Sequence, residues 1–241
     1  MGGIDITVIA KKREHRMLEG LKIEVYKANQ ELAKQGLVTL RWGNISARDE
    51  RTGYIVIKPS RRACVEIKPD DLIVCDMEGK IIEGLHAPSS DLFTHLEIYK
   101  AFADVKSVAH THSKWATVFA QAGKSIPNLG TTHADYFKYD IPVTRTMRPE
   151  EIARDYEKNT GKIIAEAFTL KNPLATPAVL VKNHGPFMWG ASIMDTVDNA
   201  VALEYVAEMA FYTLRLNTDA EMNKYLIDKH TLRKMGGKNG Q

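Results

Sequence analysis

Apolar residues recur every three to four positions at Leu18, Leu21, Val25, Ala28 and Leu32, a stripe along one side of an α-helix that Gly36 can end. The period then shortens. Tyr54 to Lys58 and Leu72 to Cys75 are β-rich runs, and Asp76-Met77-Glu78-Gly79-Lys80 supplies a turn into Ile81-Ile82, which predicts a hairpin. Helical spacing returns at Leu92, Leu96 and Tyr99, with Ser89 or Ser90 placed to cap the helix. Ser107 to His112 reads as a short strand, and Ser113 as the cap of a helix through Trp115, Val118 and Phe119. Pro149-Glu150-Glu151 carries the proline and carboxylates of a helix start, predicting a helix to Phe168 with Gly161 as its weak point. Ala178 to Val181 predicts a buried strand. Ser192 opens a long helix carrying Ile193, Val197, Val201, Leu203 and Met209, with Asp195 where a capping box has glutamate. Helices and hairpins interleave without a regular strand-helix-strand repeat, so the expected fold is layered α/β, a central, largely antiparallel β-sheet flanked by helices.

Composition narrows this without redirecting it. The 241 residues contain no Pro/Gly/Ser-rich linker, which favours one domain over residues 17–241 after an N-terminal extension of residues 1–16. Apolar residues at 44% and charged ones at 26% are ordinary for a globular protein. The net charge of +3 is small, and the cluster Lys11-Lys12-Arg13 with Arg16 reads as a solvated leader, so no nucleic-acid partner is expected. Ile4, Ile6, Val8 and Ile9 lack the positive region and long apolar block of a signal peptide. No run approaches the roughly eighteen apolar residues of a membrane span. Cys64 and Cys75 lie singly in apolar stretches, which argues against a disulfide framework or thiolate metal site and leaves the cytoplasm as the default.

The chemistry centres on His110-Thr111-His112 and on His184 within Lys182-Asn183-His184-Gly185-Pro186. Residues two apart on a strand share a side, so the pair can grip one metal ion. A third imidazole from a distant loop gives a three-histidine set with an open position, as expected of a catalytic divalent metal. The plainer reading of His-x-His alone is polar strand surface. Three other segments, Trp42-Gly43-Asn44-Ile45-Ser46, Lys58-Pro59-Ser60-Arg61-Arg62 and Pro88-Ser89-Ser90-Asp91, offer close backbone approach, cations, hydroxyls and a helix start. Together they describe a phosphate site; singly, each is a turn or a cap. Asp91 reads as a metal ligand, as a partner orienting a ligating histidine, or as a first-turn carboxylate. In Thr131-Thr132-His133-Ala134-Asp135-Tyr136, Asp135 reads as a general acid/base or as a loop cap.

These blocks, with Leu37-Val38-Thr39, Gln121-Ala122-Gly123, His184-Gly185-Pro186-Phe187 and Asp228-Lys229-His230, resemble the L-ribulose-5-phosphate 4-epimerases of the class II aldolase and epimerase superfamily, from Met17 to Arg233. The resemblance implies a divalent ion, Zn2+ or another such as Mn2+ or Co2+, held by His110, His112 and His184 with Asp91 beside it. It implies a sugar phosphate bound by Gly43, Asn44, Ser60, Ser89 and Ser90, with Lys58 adding charge and Asp135 moving a proton. It implies a homotetramer with active sites between subunits, where Thr131, Asp135, His230 and Arg233 act on a neighbour's metal. The reaction implied is inversion at C4 of L-ribulose 5-phosphate to D-xylulose 5-phosphate by retro-aldol cleavage and rejoining, a step of cytoplasmic arabinose catabolism. The alternatives are a class II aldolase that releases its two fragments and a metal-free binding module of the same fold. Two departures stand out. Epimerases of that family commonly end in Tyr-Tyr-Gly-Gln, with a tyrosine as second acid/base, whereas this chain ends Lys238-Asn239-Gly240-Gln241; and Arg61 stands where relatives usually have glycine. A cation there either forks onto the phosphate or narrows the pocket.

Overall fold

Alternate residues of each central strand face opposite cores, and this alternation sets the layering. The computed structural model describes residues 6–169 and 171–236, with side chains from 18 to 233 within them. The strands are β1 (Asn44–Arg48), β2 (Ile55–Ile57), β3 (Ile73–Cys75), β4 (Ile81–Glu83), β5 (Ser107–His110), β6 (Ala178–Val181) and β7 (Gly185–Gly190). They form one sheet in the order β4-β3-β2-β1-β5-β7-β6, and every pairing is antiparallel. The helices are α1 (Ile6–Lys34), α2 (Leu92–Ala101), α3 (Lys114–Ala122), α4 (Thr131–Tyr136), α5 (Pro149–Ala153), α6 (Tyr156–Glu166), α7 (Ile193–Leu216) and α8 (Lys224–Gly236).

On one face Ala109, Ala178, Leu180 and Met188 pack with Leu32 of α1, Phe119 of α3 and Leu203 of α7. On the other, Val108, Val179, Phe187 and Trp189 pack with Leu96 of α2 and Ile163 of α6. Both faces are therefore covered, which is why Ala178 to Val181 reads as an unbroken apolar run rather than an alternating one. Each fully buried Ile, Leu or Phe here contributes about 1.5–3 kcal/mol of transfer free energy. Trp189 also satisfies its indole, Nε1 donating to the Pro173 carbonyl at 2.9 Å.

The hairpin of β3 and β4 and the strand at β6 form as the pattern predicts. Four local expectations are revised. The helix foreseen from Pro149 to Phe168 is two, because Asp155 turns left-handed at φ +51° between α5 and α6. Gly161 is not a weak point: a Cβ there would lie 2.4 Å from Glu97 Cβ and 2.9 Å from the Thr94 carbonyl oxygen, so it is where α6 crosses α2. Neither Ser89 nor Ser90 caps α2; Asp91 holds the cap position and makes no side-chain cap bond. The strand through 112 stops at His110. Ser192 does cap α7, its Oγ accepting from the Asp195 amide at 3.0 Å.

Candidate metal centre

The antiparallel order brings the start of β1, the end of β5 and the start of β7 to one end of the sheet, with Asn44 opposite His110 and His110 opposite Phe187. His110 ends β5, and His112 follows it two residues on, before α3. His184 sits in the β6–β7 turn, where Asn183 takes φ +62° and the His184 amide donates to the Val181 carbonyl. One nitrogen from each of these three rings lies within 4.8 Å of the others. Gly43 permits this crowding: at φ +79°, a Cβ would stand 2.9 Å from the His110 carbonyl oxygen.

The three rings are neutral at pH 7. His110 is 2% exposed, and burial drives its pKa down to about 3 against the opposing pull of Asp91. Burial lowers His112 and His184 as well. His110 Nδ1 lies 2.9 Å from the Pro186 carbonyl oxygen, which can only accept, so the proton is on Nδ1 and the Nε2 lone pair is free. That Nε2 is 3.1 Å from Nε2 of His112. Asp91 is half-buried beside them and receives the Asn44 amide at 2.7 Å. Burial disfavours its charge, but His110, His95 and the Asn44 hydrogen bond outweigh that and hold its pKa below the ordinary carboxylate value. Three neutral nitrogens with an adjacent carboxylate and an open side fit a borderline divalent ion such as Zn2+ better than an oxygen-seeking one.

A cavity of about 260 Å³ opens beside the histidines and is lined by Gly43, Asn44, Lys58, Ser60, Arg61, Ser89 and Ser90, as well as Asp91. Two of the three segments that carry these residues, those of Lys58–Arg61 and Ser89–Asp91, are stitched together, the Ser60 amide donating to the Ala87 carbonyl and the Ser89 amide to the Lys58 carbonyl. Lys58 is 2% exposed; its ammonium donates to the Arg41 and Arg62 carbonyls, and burial lowers its pKa. Arg61 takes φ +59°. Thr131, Asp135, His230 and Arg233 do not line this cavity. Asp135 on α4 pairs instead with His230 of α8, Oδ1 to Nδ1 at 2.7 Å, while Arg233 is exposed on α8. The ending Lys238 to Gln241 lies outside the described residues.

The cavity also takes in Arg41, Thr94, Tyr156, Glu157 and Thr160, which the sequence reading missed. Thr94 lies three residues beyond Asp91, and Thr160 four beyond Tyr156, so helical spacing points to both once their partners are known. No comparable signal marks Tyr156 or Glu157.

The chain belongs to the Class II Aldolase and Adducin N-terminal domain family, whose profile matches residues 23–211. Among solved structures it is similar to an L-fuculose 1-phosphate aldolase, with a TM-score of 0.76 and 23% identity over 89% of this chain and 95% of that one. It is also similar to YgbL from Escherichia coli, a putative aldolase/epimerase/decarboxylase, with a TM-score of 0.70 and 22% identity over 89% and 99%. A third is the sugar-phosphate aldolase from Thermotoga maritima, with a TM-score of 0.60 and 21% identity over 85% and 97%. These likenesses establish the α/β fold and its antiparallel sheet. Among the described residues no helix is long and apolar enough to cross a membrane.

Proposed function

We propose that the protein is a metal-dependent L-ribulose-5-phosphate 4-epimerase, acting in the cytoplasm as a homotetramer. The single observation that carries this reading is the convergence of three neutral imidazoles beside an ionised Asp91, on a cavity that Lys58, Arg61 and the serines also line. A divalent ion held by His110, His112 and His184 supplies Lewis acidity, which stabilises negative charge developing on a carbonyl oxygen when the neighbouring C–C bond breaks.

The side chains do the remainder. Ser60, Ser89, Ser90 and the Arg61 guanidinium bind the phosphate, so the aldehyde fragment stays tethered after cleavage and can turn its other face before the bond re-forms. Asn44 holds Asp91 in place and so orients the carboxylate next to the histidines. Proton transfer at the aldehyde oxygen falls to Asp135. Since Asp135 does not line its own chain's cavity, a neighbouring subunit brings it, with Thr131, His230 and Arg233 on the same edge. The exposed Tyr205, Met209, Tyr212 and Leu216 along α7 supply apolar surface for such an assembly.

The second reading, an aldolase, is supported by the likeness to an L-fuculose 1-phosphate aldolase and to the sugar-phosphate aldolase from Thermotoga maritima. Incubation of the purified protein with L-ribulose 5-phosphate separates the two. Formation of D-xylulose 5-phosphate supports the epimerase, whereas accumulation of free dihydroxyacetone and glycolaldehyde phosphate replaces it with the aldolase.

A further inference from the structure

We propose that Tyr156 is a positioning residue for the metal centre, its phenol oxygen accepting the Nδ1–H of His184 and thereby fixing which nitrogen of that ring faces the ion. The inference rests on the three-histidine reading given above. Its starting point is one contact, Tyr156 Oη to His184 Nδ1 at 3.1 Å, with the two rings stacked at 22° and centroids 6.2 Å apart. A ligating imidazole is neutral and presents a bare lone pair. With Nδ1 engaged by the phenol, Nε2 is the nitrogen left to bind, so the proton resides on Nδ1 and the phenol oxygen accepts it.

His184 has particular need of such a brace. His110 is fixed by a strand pairing and by the Pro186 carbonyl, and its ring is stacked on Phe187 at 4.1 Å. His184 comes instead from a turn whose preceding residue, Asn183, is left-handed. Tyr156, by contrast, stands on a firm base. The chain reverses at Asp155, α6 begins, and the Thr94 hydroxyl donates to the Glu157 carbonyl at 2.7 Å, tying the first turn of α6 to α2. One turn further, Gly161 lets α6 lie against Thr94 and Glu97. The phenol is thus held by the same helix pair that carries Asp91, so α2 and α6 together set two edges of the metal site.

The test measures metal affinity rather than turnover. Apo wild type and Tyr156→Phe are titrated with Zn2+ against a chromophoric chelator, and the Co2+ forms are compared by visible absorption. Loss of a hydrogen bond to a metal-ligating histidine weakens binding roughly 10- to 100-fold. Tyr156→Phe is expected to show that loss and an altered Co2+ band, with an unchanged apo-protein unfolding curve. The same substitution in a His184→Ala background is expected to have no further effect on the residual affinity. A Kd within about twofold of wild type with an identical Co2+ spectrum overturns the proposal, as does a loss that persists in the His184→Ala background. If Tyr156→Phe unfolds the apo protein, Thr94→Val, which releases the first turn of α6, takes its place with the same two outcomes. Wild type that binds neither ion refutes the metal-centre reading itself, a result distinct from either.

Discussion

Adding one methyl group at two helical glycines should move stability in opposite directions. In an exposed helix interior, Gly→Ala stabilises by about 0.5–1 kcal/mol through backbone entropy. Gly20 in α1 is exposed and has no atom within 4 Å of an added Cβ, so Gly20→Ala realises the whole of that gain. At Gly161 the same methyl would come 2.4 Å from Glu97 Cβ, 3.1 Å from Glu97 Cγ and 2.9 Å from the Thr94 carbonyl oxygen. Carbon atoms pack at about 3.5–4.0 Å, so α2 and α6 must separate by roughly 1 Å or more. Two of the three opposing atoms, a Cβ and a backbone oxygen, cannot swing aside. Forcing a methylene into such a contact costs about 1–3 kcal/mol, which outweighs the entropic gain. The net expectation is destabilisation of Gly161→Ala by about 1–2 kcal/mol at a contact that also seats Tyr156. Urea unfolding at fixed protein concentration reads both variants, provided the slope is unchanged. If Gly161→Ala unfolds at the same or higher urea than wild type, α2 and α6 do not meet as closely as described.

Arg61→Gly separates strain from binding. Releasing a left-handed Arg should stabilise the fold by about 1 kcal/mol, while loss of a charge-assisted bond of about 1.5–3 kcal/mol should raise KM for a phosphorylated ketose roughly 10- to 100-fold. An unchanged KM removes Arg61 from the phosphate site. His112→Ala should abolish stoichiometric divalent metal in protein purified without chelator, read by elemental analysis; full metal content would show that the three rings are not the ligand set. Acid sensitivity follows from His95 and His133, both buried and held neutral, each with a folded pKa of about 4. Their ordinary value is about 6.5, so the unfolded chain takes up protons first, and stability is full above that pH and is lost as pH falls toward 4. Each histidine contributes roughly 3 kcal/mol at most to that loss. Urea midpoints of the metal-free protein between pH 7.5 and 4.5 should drop accordingly, and His133→Gln should flatten the curve; a flat wild-type profile would contradict the burial of both rings.

The legible parts of the fold are those where one local signal dominates. The β3–β4 hairpin was announced by Asp76 to Lys80, and the covered sheet by the apolar run at Ala178. What escaped were elements whose local signals point elsewhere. β1 begins with Asn44 and alternates polar Asn44 and Ser46 with Ile45 and Ala47, yet every one of these four is buried. Ser46 is satisfied across the sheet layers, its Oγ contacting His95 Nδ1 and Tyr99 Oη at 2.8 Å each, and the Asn44 amide nitrogen reaches Asp91 at 2.7 Å, pairings which no periodicity reveals. β7 opens Gly185-Pro186, a pair that normally marks a turn. Gly185 is required because a Cβ would meet the Thr111 carbonyl oxygen at 2.9 Å, a tertiary constraint. For the site, residue type and spacing located the histidines and the serine loops. Tyr156 and Glu157 stayed invisible because their place depends on the left-handed turn at Asp155.

That turn is one of a set. Among the described residues, four that are not glycine adopt left-handed backbone: Leu40, Arg61, Asp155 and Asn183. Arg61 lines the cavity, and each of the others immediately precedes a lining residue, Arg41, Tyr156 and His184. Such conformations cost about 1–2 kcal/mol apiece for ordinary L-residues, less for Asn and Asp. Several together are large against a total stability of about 5–15 kcal/mol. Scattered strain would be an accident of loops, but strain confined to the border of one cavity has to be held in place by the surrounding sheet and helices. The antiparallel sheet and the cores packed on its two faces supply that rigidity, and the left-handed residues turn the chain so that side chains from four separate loops converge. Solved structures at 21–23% identity establish the fold alone. The clustering of strain singles out this end of the sheet on grounds independent of any relative.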